Sequence, residues 1–273
     1  MTGMNILYIL IVVLYCASVS GYFIDFIHKN QKVNRLAFWL LSIVWLMQIA
    51  FMALRYIAFE RLPIMTSFEA MFFYSWLLVT ASLFINRRFR TDFLIFFLNL
   101  IGFIVVVIGL MVPTGDVSPL LSELFIFEML MIHVVVLLLS YGVFTVSFVF
   151  SFLYFLKHHM LKSKSFNDRM ARTGNLNTLE RYSFFAAVTG IPFLLIGLIL
   201  GVIWSYLSFD TIPWLDPKVV TSFIVLAFYG TYVFFYQVRK VRGYQLVLFN
   251  LAAFLVLLIN YFLSGSFSTF HIW

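Results

Sequence analysis

Histidine has the widest chemical reach of the side chains in this 273-residue sequence, because imidazole binds metals and exchanges protons near neutral pH. Five are present. Two stand at the ends of apolar stretches: His133 in Leu130-Met131-Ile132-His133, and His271 in Phe270-His271-Ile272-Trp273. An imidazole at an apolar helix end is costly unless something binds it, so each is either a hydrogen-bonded structural side chain or a ligand, and the residue alone leaves both readings open. His28, His158 and His159 lie among lysines and read as solvated loop residues without a role. A single cysteine, Cys16, excludes a disulfide framework, a CxxC redox pair and a CxxCH haem-attachment site. There is no P-loop, G-x-S-x-G elbow or H-E-x-x-H helix. Glu123 and Glu128 are five apart and do not share a helix face, so a carboxylate-pair hydrolase is not indicated and no enzymatic activity is expected.

The elements that must position the histidines are set by composition. The chain is 63% hydrophobic and 11% charged, with a mean hydropathy of +1.03. A soluble domain is about 45–50% apolar and ~25% charged, so a soluble protein is excluded. Apolar runs separated by charged gaps give eight spans: Met4–Ile27, Leu36–Phe59, Phe68–Ile85, Phe93–Val112, Phe125–Leu156, Tyr182–Leu207, Lys218–Val238 and Tyr244–Leu263. Each is long enough as a helix to cross roughly 30 Å of hydrocarbon, whereas barrel strands would be half as long and alternate in polarity. The expected fold is an all-α integral membrane protein, a polytopic bundle of eight transmembrane helices forming one domain over residues 1–273, without internal sequence repeat.

The first run lacks a basic n-region, its first charge being Asp25, and Tyr15 before Cys16 is unlike a lipoprotein site, so it reads as a retained span. The gaps after spans one, three, five and seven, with their helix ends, hold every lysine and arginine except Arg55, Arg61 and Lys218. By the positive-inside rule both termini are extracytoplasmic, and the net charge of +7 reports topology rather than nucleic-acid binding. Gln48 and Asn99 are expected to hydrogen-bond between helices, Gly197 and Gly201 to allow close packing, and Pro192 to kink the sixth span.

This topology puts His133 and His271 on the outer face, with Trp204, Phe209, Trp214 and Trp273 and the cations Arg55, Arg61 and Lys218. Two histidines on one face permit bis-histidine ligation of haem iron, with aromatic walls for the macrocycle and cations for the propionates. Tryptophans at a membrane interface also serve simply as anchors. Asp216-Pro217 matches a helix start, with Asp216 as N-cap and Pro217 at the first helical position.

Taken in order, His133 through Ser140-Tyr141, Gly197-Leu-Ile-Leu-Gly201-Val-Ile-Trp204, Trp214-Leu-Asp216-Pro217-Lys218 and His271 resemble the cytochrome c assembly proteins of the CcsA/CcmC type. Arg55-Tyr56, Leu62-Pro63, Phe68-Glu69 and Ser75-Trp76 resemble that family's second and third spans, so the likeness covers about residues 55–273. The resemblance implies a haem-handling protein, not an enzyme. It implies haem b held non-covalently at the outer face with His133 and His271 on the metal and Trp204, Trp214, Asp216, Lys218, Arg55 and Arg61 around the cofactor. Phe209, Pro213 and Leu215 stand where the family carries further tryptophans, and Trp214 is offset by one position. Arg61 and Phe234 occupy the positions of the intramembrane histidines of larger members, so no transmembrane relay is implied.

The compact size is similar to a Gram-positive branch whose genes accompany haem biosynthesis and whose members are associated with lowering glutamyl-tRNA reductase. This implies a bacterial plasma membrane. The implied partners are haem, the lipid bilayer, and glutamyl-tRNA reductase or cytochrome c assembly proteins, with no nucleic acid. The alternative is a regulatory adaptor that binds no haem and acts through its cytoplasmic loops, above all the basic segment Lys157–Arg181.

Overall fold

In hydrocarbon a backbone must satisfy its own N–H and C=O groups, and an apolar run of about 20 residues does so as a helix. A computed structural model describes residues 2–89, 92–112, 127–163, 174–210 and 212–267, and within them the chain forms eight helices and no strands. They are α1 (Thr2–His28), α2 (Gln31–Phe59), α3 (Ser67–Phe89), α4 (Asp92–Gly109), α5 (Phe127–Lys162), α6 (Leu176–Phe209), α7 (Pro217–Gln237) and α8 (Tyr244–Phe267). Seven are long and apolar enough to cross a membrane, and the chain is a multi-pass membrane protein. The other, α4, has an apolar stretch of Phe93–Gly109 and stops short of the expected Val112 in a turn.

Several helices outrun their apolar runs because polar caps lie further out. The side chain of Asn30 accepts the N–H groups of Lys32 and Val33 at 3.1 and 3.3 Å, and that of Asn175 accepts Asn177 N–H at 3.2 Å. The Asn175 cap places Leu176–Arg181 in α6, Lys157–Lys162 forms the last turns of α5, and within Lys157–Arg181 residues 164–173 lie outside the described part. His158 and His159 are helical rather than in a loop, and both rings pack on Tyr244, at 4.6 and 5.9 Å between centroids.

The helices fall into two compact units, α1–α4 and α5–α8. In the first, α1 packs on α2 and α4, and α3 on α2 and α4, closing a four-helix ring. Its seams carry the two interhelical hydrogen bonds expected of Asn99 and Gln48, Tyr15 OH donating to Asn99 Oδ1 at 3.1 Å and Gln48 Nε2 to Ser75 Oγ at 3.4 Å, and a further one from Trp45 Nε1 to Thr80 Oγ1 at 2.9 Å. In the second unit α5 packs on α6 and α8, and α7 on α6 and α8, again a ring. Here Asn250 of α8 reaches Ser147 and Ser151 of α5 and Ser183 of α6 within 2.9 Å. With no hydrophobic force between helices in lipid, such bonds and close packing hold each ring together.

Candidate functional site

The closest helix pair in the second unit is α5 with α6, and small residues on α6 make it so. A Cβ at Gly190 would lie 2.6 Å from the Phe144 ring, one at Gly197 2.4 Å from Leu137 Cδ2, and one at Gly201 2.5 Å from His133 Cε1. His133 and Leu137 are one turn apart on α5, as Gly197 and Gly201 are on α6, so the two glycines are the sockets for this pair. The helix runs unbroken through Pro192. Seated over Gly201, His133 sets Nδ1 2.6 Å from the Gly197 carbonyl. That bond requires the Nδ1–H tautomer, which leaves Nε2 with its lone pair; among the described residues Nε2 has no hydrogen-bond partner.

The half-buried His133 lines a cavity of about 60 Å³ together with Trp204, Gly201, Ser205, Phe223 and Lys218. Lys218 is placed by the start of α7: Asp216 Oδ1 accepts its backbone N–H at 2.9 Å, and Pro217 occupies the first turn, as the sequence suggests. The Lys218 ammonium makes no hydrogen bond or salt bridge among the described residues. Trp204, 1% exposed, belongs to the cavity wall; Trp214, 55% exposed, does not line it and stands 6.4 Å from the Phe223 ring. The expected pair of tryptophans therefore does not share one wall. His271 and Trp273 lie outside the described residues.

Arg55 and Arg61 belong to the first unit, where both bind Glu69. Arg55 Nε donates to Glu69 Oε1 at 2.9 Å and Arg61 Nη1 to Oε2 at 2.8 Å, while Oε2 also accepts Met65 and Thr66 N–H groups at 3.1 and 3.2 Å. Glu69 N–H in turn donates to Thr66 Oγ1 at 3.2 Å, completing a capping box at the head of α3. Sequence reasoning passed over Glu69 as an organising residue, although Thr66-Ser-Phe-Glu69 before an apolar run is the sequence form of that box. It also missed the polar floor of the second unit, where Asn260 Nδ2 donates to Tyr141 OH at 3.0 Å and Asn260 Oδ1 accepts from Thr221 Oγ1 at 2.7 Å. The signal was a lone asparagine in an apolar run.

Residues 64–271, which contain Glu69, His133, Trp204, Lys218 and His271, match the family model described as Cytochrome C assembly protein. The chain belongs to the cytochrome c assembly protein family. Its relatives include Protein HemX of Bacillus subtilis (strain 168), 44% identical over 260 residues that cover 95% of this chain and 94% of the relative. Protein HemX of Brevibacillus brevis is 40% identical over 267 residues, covering 98% and 97%. The cytochrome c biogenesis protein CcsA of Guillardia theta is 26% identical over 204 residues, covering 66% and 65%. Within the family the chain is of the HemX type, as its compact size suggests. The family match begins after Arg55 and Arg61, so those two belong to the wider likeness and not to the matched core.

Proposed function

We propose that this cytochrome c assembly family member holds haem b non-covalently at the outer face of a bacterial plasma membrane, with His133 and His271 as axial ligands. The observation that carries this reading is the state of His133: Nδ1 is tied to the Gly197 carbonyl, and Nε2 keeps its lone pair beside a cavity that also presents Lys218. A metal-binding histidine ordinarily has its second nitrogen engaged in this way. The donor set fits haem: an imidazole nitrogen for iron, an ammonium for a propionate, and the Trp204 wall for the ring. Bound haem would supply iron-centred electron chemistry; the chain's own residues bind and orient it.

Space sets a condition. A cavity of about 60 Å³ holds one or two waters at roughly 30 Å³ each, so a macrocycle reaches Nε2 only when the wall parts. Ile212 and Pro213 form part of that wall, followed by Trp214 and the 91%-exposed Leu215. This favours haem passed on over haem kept. Arg55 and Arg61 already share Glu69, so Lys218 is the propionate partner in this proposal and Asp216 acts through its cap.

Haemin titration of the purified protein tests the reading. Lys218→Met weakens binding about tenfold, the order expected for one charge-assisted contact. Neutralising Lys157, Lys162 and Lys164 leaves the titration unchanged. No binding by the native chain, with loss of glutamyl-tRNA reductase control on neutralising those lysines, overturns it in favour of the adaptor reading.

A further inference from the structure

The first unit contains a cavity of about 310 Å³, several times larger than the one beside His133 and equivalent to about ten waters. Its floor is aromatic: Tyr8, Phe51 and Phe68 are each at most 5% exposed, with ring centroids 5.1 to 6.2 Å apart. Its rim is Asn5 and Ile9 of α1 and Leu110 in the turn after α4, all exposed. One cation lines it, Arg55, itself 5% exposed.

Arg55 is under-used where it stands. A guanidinium carries five N–H donors. Among the described residues the partners of Arg55 are one carboxylate oxygen, Glu69 Oε1, and the faces of Phe59 and Phe68 at 4.7 and 5.3 Å. Its Nη2 is buried against Oε1 at 2.8 Å, inside the ion pair, and among the described residues Nη1 has no hydrogen-bond partner. The other Glu69 oxygen is taken by Arg61 and two backbone N–H groups, so the carboxylate is divided among several donors. A buried cation with spare donors, on the wall of an apolar cavity with a lipid-facing rim, calls for an oxyanion attached to hydrocarbon.

We propose that this cavity binds an anionic amphiphile, its oxyanion head on Arg55 and its acyl chain over Tyr8, Phe51 and Phe68. A phospholipid phosphate and a fatty-acid carboxylate share this chemistry. The site is independent of His133 and stands or falls without the haem reading.

Native mass spectrometry of the full-length, delipidated protein, titrated with phosphatidylglycerol, phosphatidylcholine, oleate and haemin, tests it. Phosphatidylglycerol or oleate binds one per chain, about tenfold or more tighter than phosphatidylcholine, and the tighter of the two identifies the source. Ile9→Trp, at an exposed rim position, narrows the mouth of the cavity and weakens that binding about tenfold. The paired change Arg55→Gln with Glu69→Gln keeps a hydrogen-bonded pair and abolishes the preference for anions. Equal binding of phosphatidylglycerol and phosphatidylcholine, or binding unchanged by Ile9→Trp, overturns the proposal. Competition by haemin alone also overturns it and assigns Arg55 to a propionate.

Discussion

In the first helix ring, α2 and α3 bring Arg55, Arg61 and Glu69 together so that both oxygens of the carboxylate are occupied and α3 is capped in the same act. In the second, α5, α6 and α7 bring His133 and Lys218 to one cavity, where Lys218 feels the Asp216 carboxylate but makes no salt bridge among the described residues. The two rings have the same helix connectivity, so connectivity does not decide what a charged group is for. Charge bound to opposite charge in a buried place holds structure first, and in the first ring only the remaining donors of Arg55 are left over for a ligand. A nitrogen lone pair and an ammonium on residues that line one cavity are equipped to hold something else.

The contrast can be broken at its structural end first. Glu69→Ala leaves two guanidiniums without their shared carboxylate and is expected to cost about 3–5 kcal/mol, read as lost thermal stability in detergent. Glu69→Gln keeps one acceptor oxygen for one arginine and turns an amide NH2 toward the other, so it costs less than the alanine but is not neutral; a Glu69→Ala protein as stable as the native one removes the distinction between the rings. Next is Gly201→Val, which drives a side chain into the space of the His133 ring. It costs about 1–3 kcal/mol by overpacking and abolishes haemin binding. Gly230→Ala, on α7 with nothing within 4 Å of the added carbon, is the control and gains up to about 1 kcal/mol. If the two glycine variants behave alike, the socket for His133 is not what fixes the imidazole.

Smaller effects sharpen the boundary of the second site. Asp216→Ala removes the cap of α7 and costs about 1 kcal/mol, and it weakens haemin binding only as far as it moves Lys218. Asp216→Asn, which keeps the cap, restores both. Trp214→Leu, on the half-exposed side of Phe223, changes stability by less than about 0.5 kcal/mol. A larger loss would show that Trp214 packs more firmly than its exposure indicates.

The spans were legible because apolar length and the placement of lysine and arginine are one-dimensional properties. All eight expected helices are found, and their ends shift by a few residues where Asn30 and Asn175 cap beyond the apolar runs. The Asp216-Pro217 start was legible for the same reason, since a cap is read within three residues. His133 was legible as an anomaly in an apolar helix, but its hydrogen-bonded nitrogen was not, because that depends on which α6 carbonyl faces it. The matched four-residue spacing of His133 with Leu137 and of Gly197 with Gly201 held a clue to that pairing. Arg55 and Arg61 were read as outer cations available to a ligand; the turn at Leu62-Pro63 instead folds α3 back so that Glu69 meets both, a relation no local pattern of arginines reveals.

The central claim is that His133 offers Nε2 to haem iron with His271 as its counterpart. The direct measurement is the absorption spectrum of the purified protein loaded with haemin, oxidised and dithionite-reduced, for the native chain, His133→Ala, His271→Ala and the double variant. The account predicts sharp low-spin bands in the native chain, conversion to a high-spin or weakly bound form in each single variant, and their loss in the double variant. A native chain that takes up no haem, or a double variant that keeps the native low-spin spectrum, contradicts it.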